Sequence, residues 1–181
     1  NYRLANGEVL NTTPEKDQFI DNLINAMWAK VETYCDRQFL SRSYTEYYDG
    51  KGTETLYPNQ FPVISVTSIH DDSTWEWGSS TLVSGTNYRI ADTNSIAFKS
   101  GYRLGNSRQN VKLVYDAGYE TIPYDIENAC ILELFRVFDN VKDIGVFSKT
   151  SANGNTSTYL TTDFLNDTKI VLDSYKRKGA F

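Results

Sequence analysis

The stretch VKLVYDAGYETIPYDIENACILELF, residues 111–135, changes its hydrophobic spacing halfway along. In its first part, apolar residues such as Val111 and Tyr115 occupy every second position, as the residues on one face of a β-strand do. After Gly118 and Pro123, apolar residues recur every three to four positions, as they do on one face of an α-helix. The stretch therefore predicts a strand that ends sharply at the glycine and a helix whose first turn begins at the proline.

Outward from this stretch, the sequence predicts two more helices and a long β-rich segment. A capping threonine, a proline and an apolar stripe predict a first helix over residues 13–38. The helix that follows Pro123 is expected over 123–140, and a last helix over 163–178. Residues 41–120 are rich in Tyr, Thr, Val and Ile, and their short turns favour antiparallel pairing. The expected strands are 42–49, 63–70, 87–91, 95–99 and 110–116.

These elements predict one α+β domain over residues 1–181. Its expected architecture is a small helical bundle, with one N-terminal and two C-terminal helices, into which a block of antiparallel β hairpins is inserted. Residues 148–163, SKTSANGNTSTYLTTD, are dense in Ser, Thr, Asn and Gly. Because so polar a segment buries little apolar surface, we expect a mobile loop there.

The amino-acid composition disfavours several classes of protein function. The 181 residues include 23 acidic and 18 basic side chains, mixed along the chain, for a formal charge of -5. General nucleic-acid affinity is therefore disfavoured, since it needs a basic face. Cys35 and Cys130 lie within helical patterns, which predicts small reduced core residues rather than a disulfide. No apolar run approaches the roughly 20 residues of a membrane span, and no leader pattern is visible, so no membrane association is expected.

The sequence offers little catalytic chemistry. His70 is the only histidine, and its neighbours Asp71 and Asp72 are better explained as a strand end entering a turn. Asp125 and Glu127 fit the acids that a helix start favours, so a hydrolase with two carboxylates is the weakest alternative. Neither a phosphate-binding glycine loop nor a calcium-loop pattern is found. We therefore expect no enzyme, metal site or cofactor.

Two stretches could contact a partner. WEWG, residues 75–78, places Trp75 and Trp77 near a hairpin tip, where strand alternation would put both on one side. Such a pair could bind carbohydrate, pack against the domain or contact another subunit. Residues 98–112 carry four basic side chains and no acid. They could touch DNA phosphates or an acidic partner, although an ordinary solvated hairpin is the simpler interpretation. The four bases are Lys99, Arg103, Arg108 and Lys112.

Several short motifs follow one another in a fixed order along the chain. They are YCDRQF (34–39), YDG (48–50), FPVISVTSI (61–69), VYDAGY (114–119), IPYDI (122–126) and IVLDSYK (170–176). Over about residues 15–178, this ordered set resembles the head-tail connector, or adaptor, proteins of tailed bacteriophages. The segment between Asp71 and Asn110 is longer than that family's minimal pattern.

The resemblance implies a structural virion protein of the neck, assembled in the host cytoplasm. Such proteins form a ring, usually twelve-fold, beneath the portal, join it to the tail or a tail-completion protein, and enclose the DNA channel without reading sequence. On this interpretation, the portal contact is expected at the basic C-terminus and the subunit or partner contacts at the aromatic and basic stretches. A carbohydrate-binding surface module is the alternative. The portal candidates are Lys176, Arg177, Lys178 and Phe181, and the other contact candidates are Trp75, Trp77, Lys99, Arg103 and Arg108.

Overall fold

Three α-helices and two three-stranded antiparallel sheets make up most of the part of the chain that a computed structural model describes. The described residues are 14–140, 148–150, 156–158 and 164–177. The chain divides into two units. The helical unit comprises Asn1–Cys35 and Tyr124–Lys176, and the β unit comprises Asp36–Pro123 and Arg177–Phe181. The predicted α+β class is confirmed.

The helical unit contains all three predicted helices. They are α1 (Pro14–Cys35), α2 (Tyr124–Asn140) and α3 (Asn166–Tyr175). Val31, Ile126 and Leu172 are fully buried on their inner faces, as the three-to-four spacing predicts. The last helix is shorter than predicted, because Lys176 already has an extended backbone. The prediction that the last helix continues through Lys176 is therefore wrong.

The β unit contains the five predicted strands and one short strand that the sequence did not reveal. In chain order the strands are β1 (Arg42–Tyr48), β2 (Thr55–Leu56), β3 (Val63–Asp71), β4 (Tyr88–Asp92), β5 (Ser95–Phe98) and β6 (Val111–Ala117). One sheet has the order β1-β6-β3 and the other β2-β5-β4. Only β4 and β5, among these six strands, are paired neighbours in sequence. The antiparallel ladders are as expected, but most of them join distant segments.

The strand of the opening stretch, β6, is the centre of the first sheet. Every second residue is buried, at Val111, Leu113, Tyr115 and Ala117, which confirms the predicted alternation. The strand ends at Gly118, whose φ is +115°. A Cβ at this position would lie 2.8 Å from the backbone of Leu40, so both the conformation and the close approach favour glycine there.

Two short strands lie in the segment that was predicted to be a loop. They are β7 (Ser148–Thr150) and β8 (Thr156–Thr158), which pair antiparallel. The prediction that this segment forms no strands is therefore wrong at these positions. Residues 151–155 and 159–163 lie outside the described residues.

Candidate interaction surfaces

A tight turn, residues 72–78, follows β3 and is organised by one carboxylate. Asp72 is buried, and one of its oxygens accepts hydrogen bonds from the backbone and hydroxyl of Thr74 at 2.8 and 2.7 Å. The other oxygen accepts from the backbone N–H groups of Glu76 and Trp77 at 3.1 and 2.8 Å. These hydrogen bonds, led by that of the Thr74 hydroxyl, hold the pKa of Asp72 below its ordinary value. We call residues 72–78 the tryptophan turn.

In the tryptophan turn, both tryptophans have a left-handed backbone conformation, with φ of +63° at Trp75 and +55° at Trp77. The predicted strand alternation is therefore wrong here, because neither residue lies in a strand. Trp75 is 56% exposed and donates its Nε1–H to the carbonyl of Arg108 at 3.2 Å. The ring of Trp77 lies 5.5 Å from that of Tyr47 and 5.9 Å from Nζ of Lys112. The turn thus presents aromatic surface beside basic side chains.

The predicted basic hairpin is not a hairpin, because residues 99–110 connect β5 of one sheet to β6 of the other. Its basic side chains also differ in their surroundings. Arg103 is exposed and forms an ion pair with Glu54 at 3.4 Å. Lys99 and Arg108 are also exposed. Of the sequence-predicted contact residues, the structure brings Arg108 to the tryptophan turn and leaves Arg103 paired elsewhere.

The connection from β5 to β6 is held in place by Asn110, whose role the sequence did not reveal. This residue is 1% exposed. Its side-chain NH₂ donates to Asp71 at 2.7 Å and to the carbonyl of Gly105 at 3.1 Å. Its side-chain oxygen accepts the backbone N–H of Gly50 at 2.7 Å. Because these partners come from three segments, the base of the tryptophan turn is fixed to the rest of the β unit.

In the helical unit, the outer face of α2 is apolar although it is exposed. Tyr124, Ile131, Leu132 and Phe135 are 83%, 41%, 47% and 65% exposed. Their spacing places them on the opposite side of the helix from the buried Ile126, Ala129, Cys130 and Glu133. A helix that is apolar on both faces normally has both covered. We call these four exposed residues the α2 outer face.

The inner face of α2 carries a buried acid that the sequence analysis missed. Glu133 is fully buried and pairs with Arg136 at 2.7 Å. Its second oxygen accepts the backbone N–H of Leu165, the residue that precedes α3. The carboxylate therefore caps the start of α3. Its only sequence signal is a charge at a position that the helical spacing assigns to the buried face.

The C-terminal candidates are partly engaged within their own units. Nζ of Lys176 lies 4.5 Å from the ring centroid of Tyr34. Arg177 forms an ion pair with Asp36 at 3.4 Å and donates a hydrogen bond to the side chain of Asn59. The other two candidates, Lys178 and Phe181, lie outside the described residues.

The titratable groups form no reactive cluster in the described part of the chain. His70 lies at the end of β3, as predicted, with Nδ1 3.3 Å from the hydroxyl of Thr81. Cys35 and Cys130 are free and buried, which confirms the prediction of reduced core residues, and burial raises the pKa of Cys130 to about 11. Among the described residues, no set of three His, Cys, Asp or Glu side chains could hold a metal ion. None of the described helices is long and apolar enough to span a bilayer.

Comparisons with solved structures show that the fold is shared. A chain from the virion of a native gene transfer agent particle has a TM-score of 0.58 and 13% identity, covering 99% of this chain and 86% of that one. A chain from the neck of the empty particle, computed with C6 symmetry, has a TM-score of 0.59, 16% identity and the same coverages. A chain from the native neck, computed with C12 symmetry, has a TM-score of 0.56 and 14% identity, with 96% of each chain covered.

A family model gives the stronger result. No curated protein sequence matches the chain. The model of the head completion protein family, however, matches residues 9–178, which includes every described helix and strand. The resemblance to phage head-tail connectors is thereby confirmed, and the chain belongs to the head completion protein family.

Proposed function

We propose that this protein is a structural head-tail connector, which forms a ring in the neck of a phage-like particle, between the portal and the tail. The observation that carries the proposal is the match to the head completion protein family over residues 9–178. The fold likeness to neck chains in structures of C6 and C12 symmetry supports a ring. A dodecamer is the stoichiometry that we expect.

The chemistry of the chain fits a conduit for DNA better than a catalyst. Its formal charge is -5, and a mildly acidic channel would hold few phosphates. Each Lys or Arg bound to a phosphate releases counterions and retards the passing genome. A ring that encloses the channel without binding DNA tightly therefore agrees with this charge.

The ring can be tested with portal-bearing, DNA-filled heads that lack this protein. After incubation with the purified chain, we expect cryo-electron microscopy to show a symmetric ring beneath the portal vertex. We also expect such heads to retain their DNA and accept tails. Heads that bind no protein at saturating concentration would contradict the connector function.

Within this function, we propose that the C-terminal residues contact the portal. Lys176 and Arg177 have partners within their own units, so removing only residues 178–181 spares those contacts. We expect this shortened protein to keep its circular dichroism spectrum and to bind portal-bearing heads several-fold more weakly. Unchanged occupancy of the heads would place the portal contact elsewhere, and residues 99–112 would be tested next.

The exposed indole of Trp75 favours one alternative, a carbohydrate-binding surface module. Its Nε1–H is already bonded to Arg108 and Trp77 is only partly exposed, so the turn offers one free aromatic face rather than two. Binding to a glycan array by a protein that stays monomeric and ignores portal-bearing heads would favour this alternative over the connector.

A further inference from the structure

The α2 outer face is large enough to form a substantial part of a protein interface. Its four apolar side chains are between 41% and 83% exposed. Since a buried aromatic side chain covers about 150–250 Å², this face offers on the order of 450 Å². That is about half of the roughly 800 Å² that each partner contributes to an interface of standard size. One further surface of moderate size would complete the contact.

The net charge of the chain belongs to the helical unit alone. That unit contains 13 acidic and 8 basic residues, whereas the β unit contains 10 of each. The formal charges of the two units are therefore -5 and 0. A basic area on the β unit would be attracted to the helical unit of another copy.

The described side chains of the helical unit show where part of this charge lies. Two of its cations lie over aromatic rings, Lys30 at 4.3 Å from the ring centroid of Phe164 and Lys176 at 4.5 Å from that of Tyr34. Arg136 is paired with buried Glu133. Acids including Asp21, Glu127 and Asp167 are exposed. The outward field of this unit is therefore negative.

The tryptophan turn has the complementary character. Trp75 and Tyr47 are 56% and 49% exposed. Two basic residues lie beside the indoles: Arg108, whose carbonyl accepts the Nε1–H of Trp75, and Lys112, whose Nζ lies near the ring of Trp77. Left-handed backbone at two tryptophans is costly, and such conformations persist only where the surroundings impose them. Here Asp72 imposes them with its hydrogen bonds. The turn is thus a rigid aromatic projection with one exposed acid, Glu76, and with the basic residues Arg108 and Lys112 beside it. Aromatic residues and arginine are enriched in interface cores.

We propose that, in the ring, the tryptophan turn of each copy packs on the α2 outer face of the next copy. The inference rests on the connector function proposed above. A ring needs a heterologous contact, in which each copy contributes two different surfaces. The described part of the chain exposes an apolar surface on an acidic unit and an aromatic surface with basic neighbours, so a second copy can supply a partner for each.

The contact can be tested by adding one cysteine to each surface. Glu76→Cys lies within the tryptophan turn, and Asn128→Cys lies on the same side of the helix as the α2 outer face. Both native side chains are exposed and polar. The native thiols of Cys35 and Cys130 are buried and should not react. The two variants are mixed in equal amounts, bound to portal-bearing heads and treated with a short bismaleimide. We expect cross-linked dimers in a denaturing gel, and neither variant alone should give them.

A protein that carries both cysteines should give a ladder that extends beyond dimers, because each copy then links to two neighbours. The matched control replaces Glu76→Cys by Asp92→Cys, an exposed position on β4, and should give monomers only. Heads filled to wild-type occupancy by the mixed variants, without dimers, would overturn this contact and leave the connector function standing. Failure of the wild-type chain to bind the heads would overturn both.

Discussion

The helical and β units bury their polar groups in different ways. In the β unit, one carboxylate oxygen of Glu46 accepts three hydrogen bonds. They come from the hydroxyl of Tyr48, from the hydroxyl of Tyr115 at 2.8 Å and from the backbone N–H of Asn59 at 3.3 Å. These groups come from both outer and central strands of the sheet and from the loop before β3. In the helical unit, a single fully buried acid, Glu133, joins α2 to the start of α3. Loss of one donor leaves Glu46 its other hydrogen bonds, whereas loss of the Glu133 carboxylate leaves the N–H of Leu165 without that acceptor.

The largest expected effect is at this single link. Glu133→Ala removes one partner of Arg136 and leaves the N–H of Leu165 without this carboxylate. Breaking a buried pair from one side destabilises by about 3–5 kcal/mol. We expect a loss of that size in urea unfolding followed by far-ultraviolet circular dichroism. Glu127→Gln, an exposed change in the first turn of the same helix, is the control and should stay within about 0.5 kcal/mol. Equal stability of the two variants would show that Glu133 is not a structural link.

The corresponding change in the β unit should have a smaller effect. Tyr115→Phe removes a hydroxyl that accepts the backbone N–H of Gln60 at 3.0 Å and donates to Glu46. Glu46 keeps its other donors, so we expect a loss of about 1–2 kcal/mol in the same unfolding measurement. Tyr57→Phe, at a side chain that is 53% exposed, is the control and should leave stability unchanged. A loss as large as that of Glu133→Ala would remove the distinction between the two units.

Local sequence signals predicted most elements of both units. Apolar residues recur every two positions in β6 and every three to four positions in α1, α2 and α3. Both patterns arise because one face of each element is buried, so the spacing of apolar residues predicts the element. Strand pairing could not be predicted in the same way, because the partners of β6 lie 40 to 75 residues earlier in the chain. Spacing between neighbouring strands carries no information about such distant ladders.

The candidate surfaces were predicted only in part. The composition of WEWG identified two aromatic residues that could contact a partner, but not the carboxylate of Asp72 that fixes their backbone. A left-handed tryptophan has no sequence signal, since the turn hydrogen bonds that produce it follow no fixed pattern. The α2 outer face was missed because the apolar residues after Pro123 were interpreted as one face of the helix, whereas Phe135, among them, is 65% exposed.

The tryptophan turn should respond to acid in a way that depends on Asp72. The folded pKa of this carboxyl is below its ordinary value of 3.8, so its ionised form stabilises the turn above that value. This stabilisation is lost as the pH falls through the folded pKa. We expect tryptophan fluorescence to shift to longer wavelengths as the pH falls below the ordinary value of 3.8 and through the folded pKa. Asp72→Asn should show the shifted spectrum already at neutral pH.

The acid response has an internal control, because Trp28 lies in α1 rather than in the turn. A Trp75→Phe and Trp77→Phe double variant should retain only the signal of Trp28 and lose the Asp72-dependent shift. If Asp72→Asn and the wild-type protein gave the same spectrum at neutral pH, the carboxylate would not be holding the turn.

The smallest expected effect on the free protein lies on the α2 outer face. Phe135→Gln removes an apolar side chain that is 65% exposed, and glutamine is a good helix former. An exposed side chain gains little from folding, so the free energy of unfolding should change by no more than about 0.5 kcal/mol. The matched control on the opposite face is Ile126→Gln, where the native side chain is fully buried and a polar replacement should destabilise by several kcal/mol, on the order of a large core truncation. Urea unfolding of dilute protein would measure both. Similar losses from the two variants would show that Phe135 is packed in the free chain, and the outer face of α2 would then not be available to another copy.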